Sequence, residues 1–372
     1  MPEPRDQPIL FEHFPGLKAI PWMSLAPLQT PVENLATLGN QVGCHSIYIK
    51  RDDLTSPLYG GNKVRKFEFF FADFLAKKRK RLITLGGTGS NHCLASTIFV
   101  KHLNETQNLN IHSVIGLTDQ PVTEHVRHNL LLDQYFGAEF VYAHGYGGIL
   151  PKLMGYYLTH RGSYFMWPGA STAVGTLGFV NAAFELKQQV DAGEMPEPDK
   201  IFCACGSAGT SAGLALGCQL AGLKTKVIGA QVSMAMFAST KSTHNLMQKT
   251  LALLQAHDHT VPTVDLSNIF VDPNYYGGTY GWPTRRGIDA IAQVKDLEGI
   301  ILEVTYTGKA FACLLDYLQK DPACKDETLL FWNTYNSRDF SDTVSSLDYH
   351  ALPKNLHWIF EQDLPDLQPR EA

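Results

Sequence analysis

Lys63 is the residue in this chain best set for covalent chemistry. It stands in Gly60-Gly61-Asn62-Lys63-Val64-Arg65-Lys66, a glycine pair followed by the start of a helical pattern. The glycines let the backbone turn tightly into that helix, which holds the lysine close to its positive end. Burial and the neighbouring cations Arg65 and Lys66 would both disfavour an ammonium, lowering its pKa from the ordinary value of about 10.4. An amine freed of its proton in this way can condense with an aldehyde. Taken alone, the same lysine reads as a solvated residue in a basic turn. The other loops carry the decision.

Two further loops join a strand to a helix. Gly86-Gly87-Thr88-Gly89-Ser90-Asn91-His92 precedes a helix starting near Cys93. Free backbone amides at that helix start, with the hydroxyl of Ser90 and the amide of Asn91, could bind a carboxylate, or the two side chains could simply cap the helix. Cys205-Gly206-Ser207-Ala208-Gly209-Thr210-Ser211-Ala212-Gly213 is built of small residues that let the backbone close around a phosphate, assisted by Ser207 and Thr210. It lacks the Gly-Lys-Ser/Thr ending of a nucleotide loop and the Gly-x-Gly-x-x-Gly of a dinucleotide fold, which points to a small phosphate group. Tyr280, Tyr306 and Thr307 lie in Tyr280-Gly281-Trp282-Pro283-Thr284 and Tyr306-Thr307-Gly308-Lys309, and Thr334 follows a late strand. One lysine, a phosphate cradle, a carboxylate-binding loop and two tyrosines form the set that pyridoxal 5′-phosphate chemistry requires.

The elements that must position these loops are legible as alternation. Leu82–Leu85, Ile111–Leu117, Lys200–Cys205, Lys226–Val232, Ile300–Thr305 and Thr328–Trp332 read as short buried strands. Between them, Val64, Phe67, Phe71 and Phe74 recur at helical spacing. Further helices are expected from about Thr123 to Tyr135 and from Gly308 to Leu318. Apolar strands alternating with helices predict an α/β protein with parallel sheets covered on both faces, and ligands bind at the carboxyl ends of such strands. Asp191 to Asp199 reads as a surface loop, and the polar tail after about Ser345 as a segment that wraps a surface.

Composition narrows the class. The 372 residues are 44% hydrophobic and 18% charged, which describes an ordinary soluble globular protein. A net charge of −5 argues against a nucleic-acid partner. No apolar stretch approaches the roughly 18 residues of a membrane span, and Met1 to Pro8 lacks a signal-peptide core. Seven cysteines without a Cys-x-x-Cys pair read as reduced, buried small residues of a cytoplasmic protein. The fourteen histidines show no ligand spacing, so no metal is expected.

From about Thr30 to Thr334 the chain resembles the D-cysteine desulfhydrase and 1-aminocyclopropane-1-carboxylate deaminase family of fold type II, tryptophan-synthase-β-like pyridoxal-phosphate enzymes. The resemblance rests on Thr30-Pro31-Val32-Glu33-Asn34-Leu35, Ile49-Lys50-Arg51-Asp52-Asp53-Leu54, the stretch around Lys63 and Gly87 to His92. It also rests on Asn129-Leu130-Leu131-Leu132, Gly137-Ala138-Glu139 and the cradle at Gly206 to Thr210. It implies two parallel-sheet α/β domains with the cofactor in the cleft, a large one from 1–64 and 172–372 and a small one inserted at 65–171. It implies Lys63 as the Schiff-base lysine, Asn91 as partner of the cofactor's phenolic oxygen, and Ser207, Ala208, Gly209 and Thr210 as phosphate ligands. Ser90 would anchor the substrate carboxylate or act as a nucleophile, Tyr280 and Tyr306 are the active-site tyrosines, and Thr307 and Thr334 lie by the pyridine ring. A homodimer acting on a small amino acid is implied as well.

Two departures stand out. The arginine usual two positions after Ser-Asn-His is Leu94, and the usual His-Thr-Gly-Gly reads Asn333-Thr334-Tyr335-Asn336, which should reshape the substrate pocket. Thr307 stands where deaminases of the family carry glutamate. A threonine leaves the pyridine nitrogen without a carboxylate, a weaker electron sink that suits elimination of a good leaving group. The reading is therefore α,β-elimination, with D-cysteine giving pyruvate, hydrogen sulfide and ammonia. The alternatives are cyclopropane deamination, elimination from a cysteate-like amino acid, and a catalytically silent pyridoxal-phosphate-binding protein.

Overall fold

The computed structural model describes residues 6–27 and 29–371, so the first five residues of the polar N-terminal segment lie outside the described residues. The chain divides into two compact units, each built on its own sheet. Strands are numbered β1 to β10 in chain order.

The first unit comprises Met1–Asp73, Ala170–Ser337 and Gln368–Ala372. Its sheet contains β1 (Val32–Asn34), β2 (Ile47–Lys50), β7 (Lys200–Cys205), β8 (Lys226–Gln231), β9 (Ile269–Asp272) and β10 (Leu329–Trp332), in the order β1-β2-β10-β7-β8-β9. Only the β1–β2 pair is antiparallel. The continuous apolar runs have the expected cause: successive residues of a strand serve opposite faces. Leu330 and Trp332 enter a core with Leu177, Phe179 and Phe184, while Leu329 and Phe331 enter a second core with Phe202, Ile47 and Phe311.

One expected strand is absent. Ile300–Thr305 is irregular, and Ile301 and Val304 are exposed instead of contributing to a core. The carboxylate of Glu303 accepts hydrogen bonds from the backbone N–H groups of Thr305, Tyr306 and Thr307, which turns the chain directly into the helix Thr307–Lys320. A local capping acid here outweighs strand propensity.

The second unit comprises Phe74–Gly169 and Arg338–Leu367. β3 (Arg81–Gly87), β4 (His112–Thr118), β5 (Glu139–Tyr142) and β6 (Ser163–Met166) form a parallel sheet in the order β5-β4-β3-β6. The aromatic tail belongs to this unit's interior, because Leu352, Leu356 and Ile359 pack with Ile115, Val126 and Leu130. Among the described residues no helix is long and apolar enough to cross a membrane.

The helix Lys63–Ala76 departs from the amphipathic reading. Val64, Phe67, Phe71 and Phe74 are buried as expected, but so are Arg65, Lys66 and Glu68. Arg65 explains how. Its Nε and Nη2 donate to the two oxygens of Asp52 at 2.8 and 2.7 Å, and Nη1 and Nη2 donate to Glu185 at 2.9 and 3.1 Å. Lys50 donates to Glu185 at 2.6 Å and to the carbonyl of Thr30, and Trp332 Nε1 donates to Asp52 at 2.7 Å. Burial pushes the Glu185 carboxyl up, but Arg65 and Lys50 outweigh it and hold it well below the usual carboxylate range.

Removing one member leaves buried charge without a partner, which typically costs about 3–5 kcal/mol. Glu185→Ala should therefore lower stability in urea unfolding at neutral pH by about that amount. Because the carboxyl's folded pKa is depressed, its contribution is fully present above the unfolded value of about 4.3 and is lost as pH falls. The difference between wild type and variant should shrink on acidification; a pH-independent difference would show that packing, not charge, is involved.

Candidate active site

Lys63 begins its helix where two glycines bring the backbone in from Asp53. Gly61 has φ of +88°, and a Cβ there would stand 2.7 Å from the carbonyl oxygen of Thr334, so only glycine fits. The turn is tied to the segment after β10. Gly61 N–H donates to the carbonyl of Asp52, Gly60 N–H donates to Asn336 Oδ1 at 2.8 Å, and Ser337 Oγ donates to the carbonyl of Asp53 at 2.6 Å. Asn336, one of the departures from the family pattern, thus clamps the turn that carries Lys63.

Lys63 is half-buried, and burial lowers its pKa to about 8, with Glu303 acting in the opposite direction. The cause is therefore burial, without the help from Arg65 that the sequence reading invokes, since Arg65 is committed to Asp52 and Glu185. Lys63 Nζ donates to Asn62 Oδ1 at 2.7 Å, and Asn62 Nδ2 donates to Thr210 Oγ1 at 3.1 Å. Asn62 thereby couples the amine to the cradle that follows β7.

In the cradle, Ala208 adopts a left-handed conformation (φ +64°) at the start of the helix Gly209–Leu220, and no side chain caps that helix. Its first amide, Gly209 N–H, donates to the carbonyl of Ser207 at 2.9 Å, and the amides that follow have no side-chain cap. A Cβ on Gly209 would stand 2.5 Å from Ser171 Oγ and 2.8 Å from Lys66 Nζ. Ser171 and Ser207 hydroxyls are hydrogen-bonded at 2.8 Å. Burial, then Lys63, holds the Lys66 ammonium well below its ordinary range. Amides at an uncapped helix start, three hydroxyls and a buried amine that an anion would help to protonate make a site whose electrostatics favour a phosphate.

Tyr306 packs on Gly206, whose absent side chain leaves its ring room, and its hydroxyl is hydrogen-bonded to that of Tyr280. Burial, then Tyr280, raises the Tyr306 pKa well above the ordinary value, so it remains a protonated hydroxyl. Thr307 is buried, with its hydroxyl accepting from Glu303 N–H at 2.9 Å. Thr334 lies beside Gly61, its carbonyl accepting from Asn62 N–H. The first unit thus gathers Lys63, the Ser207–Thr210 cradle, Tyr280, Tyr306, Thr307 and Thr334.

Ser90 and Asn91 belong to the second unit. Ser90 is buried and caps the helix Asn91–Gln107, its hydroxyl accepting from Cys93 N–H at 3.4 Å. Asn91 Oδ1 accepts from Asn129 Nδ2 at 2.9 Å and lies 2.9 Å from His125 Nε2. Leu94 is a buried apolar residue of that helix.

Residues 23–334 match the family described as pyridoxal-phosphate-dependent enzymes. The chain belongs to this family. It is 33% identical over 327 residues to the D-cysteine desulfhydrase of Yersinia pestis (strain Pestoides F), covering 86% of this chain and 94% of that one. It is 32% identical over 331 residues to a protein of Pyrococcus abyssi that bears the provisional name 1-aminocyclopropane-1-carboxylate deaminase, covering 87% and 92%. A crystal structure of an ACC deaminase homologue superposes with a TM-score of 0.72 at 29% identity, covering 91% of this chain and 99% of that one. The cofactor of this pyridoxal-phosphate-dependent enzyme suits the observed groups: an amine freed by burial for the aldehyde, and a cradle lined by hydroxyls and the Lys66 amine for the phosphate.

Sequence reading passed over Lys66 as a phosphate partner, and also Ser171, Asn62 and Glu303. Lys66 carried a usable signal, since it lies three residues after Lys63 and so on the same side of the helix. Ser171 carried none. An aldehyde reagent should label the amine of Lys63 in the cofactor-free protein with a rate that rises with pH and levels off above about pH 8, followed by mass spectrometry of the trapped adduct. A midpoint near 10.5 would show an ordinary solvated lysine.

Proposed function

We propose that this pyridoxal-phosphate-dependent enzyme catalyses α,β-elimination on a small amino acid, with D-cysteine and water giving pyruvate, hydrogen sulfide and ammonia. The observation that carries this is Thr307. Its buried hydroxyl is engaged by Glu303, whose carboxylate is in turn occupied by backbone N–H groups at the head of the same helix. No acid stands at 307 to hold the pyridine nitrogen protonated, which favours a substrate whose leaving group needs little help. The 33% identity to a protein named D-cysteine desulfhydrase supports the same choice.

Pyridoxal phosphate, when bound, supplies the electron sink for the negative charge that develops at Cα. Lys63 takes the Cα proton, for which an amine with a pKa of about 8 is well matched near neutral pH. When the cofactor is bound, Ser207, Ala208, Gly209 and Thr210, with Lys66, would hold the phosphate, and Asn91 and Thr334 would meet the ring. Ser90 supplies a hydroxyl to the substrate carboxylate. Tyr280 and Tyr306 hold a proton at the leaving sulfur, and the raised pKa of Tyr306 keeps that proton in place until it is needed. Keto-acid release should be greatest for a D-amino acid with a β leaving group across a panel of D- and L-amino acids. A best substrate without such a group, 1-aminocyclopropane-1-carboxylate included, would overturn the elimination reading.

The functional molecule in this reading is a homodimer, paired through the helix Gly145–Thr159. Ile149 and Leu153 on its inner side pack on the second unit's sheet, while Tyr146, Leu150, Met154, Tyr157 and Leu158 are exposed, Leu158 by 73%. Five exposed large apolar side chains on one helix make the kind of patch that marks a protein interface. The helix carries no acid and a single cation, Lys152, so an identical uncharged face is a better match than a charged partner. Light scattering should give twice the chain mass for wild type and the monomer mass for the Leu150→Glu/Leu158→Glu variant. A monomeric wild type, or a variant that stays dimeric, would exclude this face.

A further inference from the structure

We infer that Asn129 is a positioning residue that orients the amide of Asn91 so that its N–H groups point at an anionic oxygen of the ligand. The inference rests on the reading that Asn91 meets the cofactor's phenolic oxygen. It begins from a carbonyl, which can only accept. Asn129, on the helix Glu124–Tyr135, is 4% exposed, and its Nδ2 lies 2.9 Å from the carbonyl oxygen of Gly89. That contact obliges Asn129 to present its amine on this side. The second hydrogen of the same amine is directed to Asn91 Oδ1, also at 2.9 Å.

The polarity then passes outward. His125 Nε2 lies 2.9 Å from Asn91 Oδ1 and 3.2 Å from Asn129 Nδ2. With both hydrogens of the Asn129 amine committed, the ring nitrogen donates to Asn91 Oδ1. The Asn91 oxygen is thus held by two donors, and its amine is the end left for a ligand. Without Asn129 the carboxamide could rotate and offer oxygen instead, which would repel an anion. The Gly89 carbonyl serves here to decide which end of the Asn129 amide faces Asn91.

The test is a double-mutant cycle read by cofactor affinity. Fluorescence titration of the cofactor-free chain with pyridoxal phosphate gives the dissociation constant, and the pH midpoint of the bound cofactor's visible absorption gives a second readout. Asn91→Ala should weaken binding about ten- to a hundredfold, the loss expected for one hydrogen bond to a charged group. Asn129→Asp keeps the shape but places an acceptor where the amine was, so it should weaken binding at least as much and move the midpoint in the same direction. Combining Asn91→Ala with Asn129→Ala should give no further loss, because Asn129 acts through Asn91. Additive losses would show a merely structural role and overturn the inference. So would wild-type affinity in Asn129→Asp while Asn91→Ala is impaired, which would leave the reading of Asn91 intact. An unimpaired Asn91→Ala would overturn both.

Discussion

The buried pairs that Arg65 makes with Asp52 and Glu185 are the constraint on which the first unit is built. Five hydrogen-bond contacts from the guanidinium reach three groups, Asp52, Glu185 and Thr30, all essentially without solvent exposure. Burying a guanidinium is costly unless each donor is satisfied in good geometry. The arrangement therefore tolerates one register for the helix Lys63–Ala76, one for the helix Ala173–Asp191 that carries Glu185, and one for the segment after β2 that carries Asp52. Lys63 lies two residues before Arg65, so its position follows from that register. Trp332 at the end of β10 reports to the same carboxylate.

A second tension lies beside it. Lys63 and Lys66 are one helical turn apart, and burial depresses the pKa of both. Charge on either amine disfavours charge on the other, and an anion that enters would favour both ammonium forms. The uncapped start of the helix Gly209–Leu220 adds to the same field, and Ala208 accepts a left-handed backbone, a conformation that costs of order 1–3 kcal/mol. Such strain concentrates where a ligand is held. A bound phosphate would relieve the repulsion and satisfy the open amides at once, so cofactor binding should also be a stabilising event for this unit.

The second unit solves a different problem. Its loop Gly87–Asn91 has too little side chain to order itself, so polar groups from the following helices do it. Asn129 and His125 set the direction of one amide, and Ser90 closes the helix that follows. Its core takes Leu352, Leu356 and Ile359 from the C-terminal segment, which links the far end of the chain to the packing around β4.

Much of this was legible in the residues themselves. Apolar runs such as Lys200–Cys205 and Thr328–Trp332 dictated strands buried on two faces, since strand side chains alternate and both sides were apolar. Glycines before Lys63 and small residues after Cys205 marked where the backbone must turn closely, and the order of these motifs carried the family. What the tertiary structure alone decided was the environment of charge. Arg65, Lys66 and Glu68 look like the solvated side of an amphipathic helix, and only partners such as Glu185, 120 positions away, make their burial affordable. Ile300–Thr305 has the composition of a strand, yet Glu303 turns it into a helix entry by accepting from its own neighbours. Asn336 departs from the family pattern, and its purpose emerges only when Gly60 lies beside it. Local sequence fixes which backbone shapes are cheap; which polar groups are buried depends on partners brought together by the fold, and no short-range pattern encodes them.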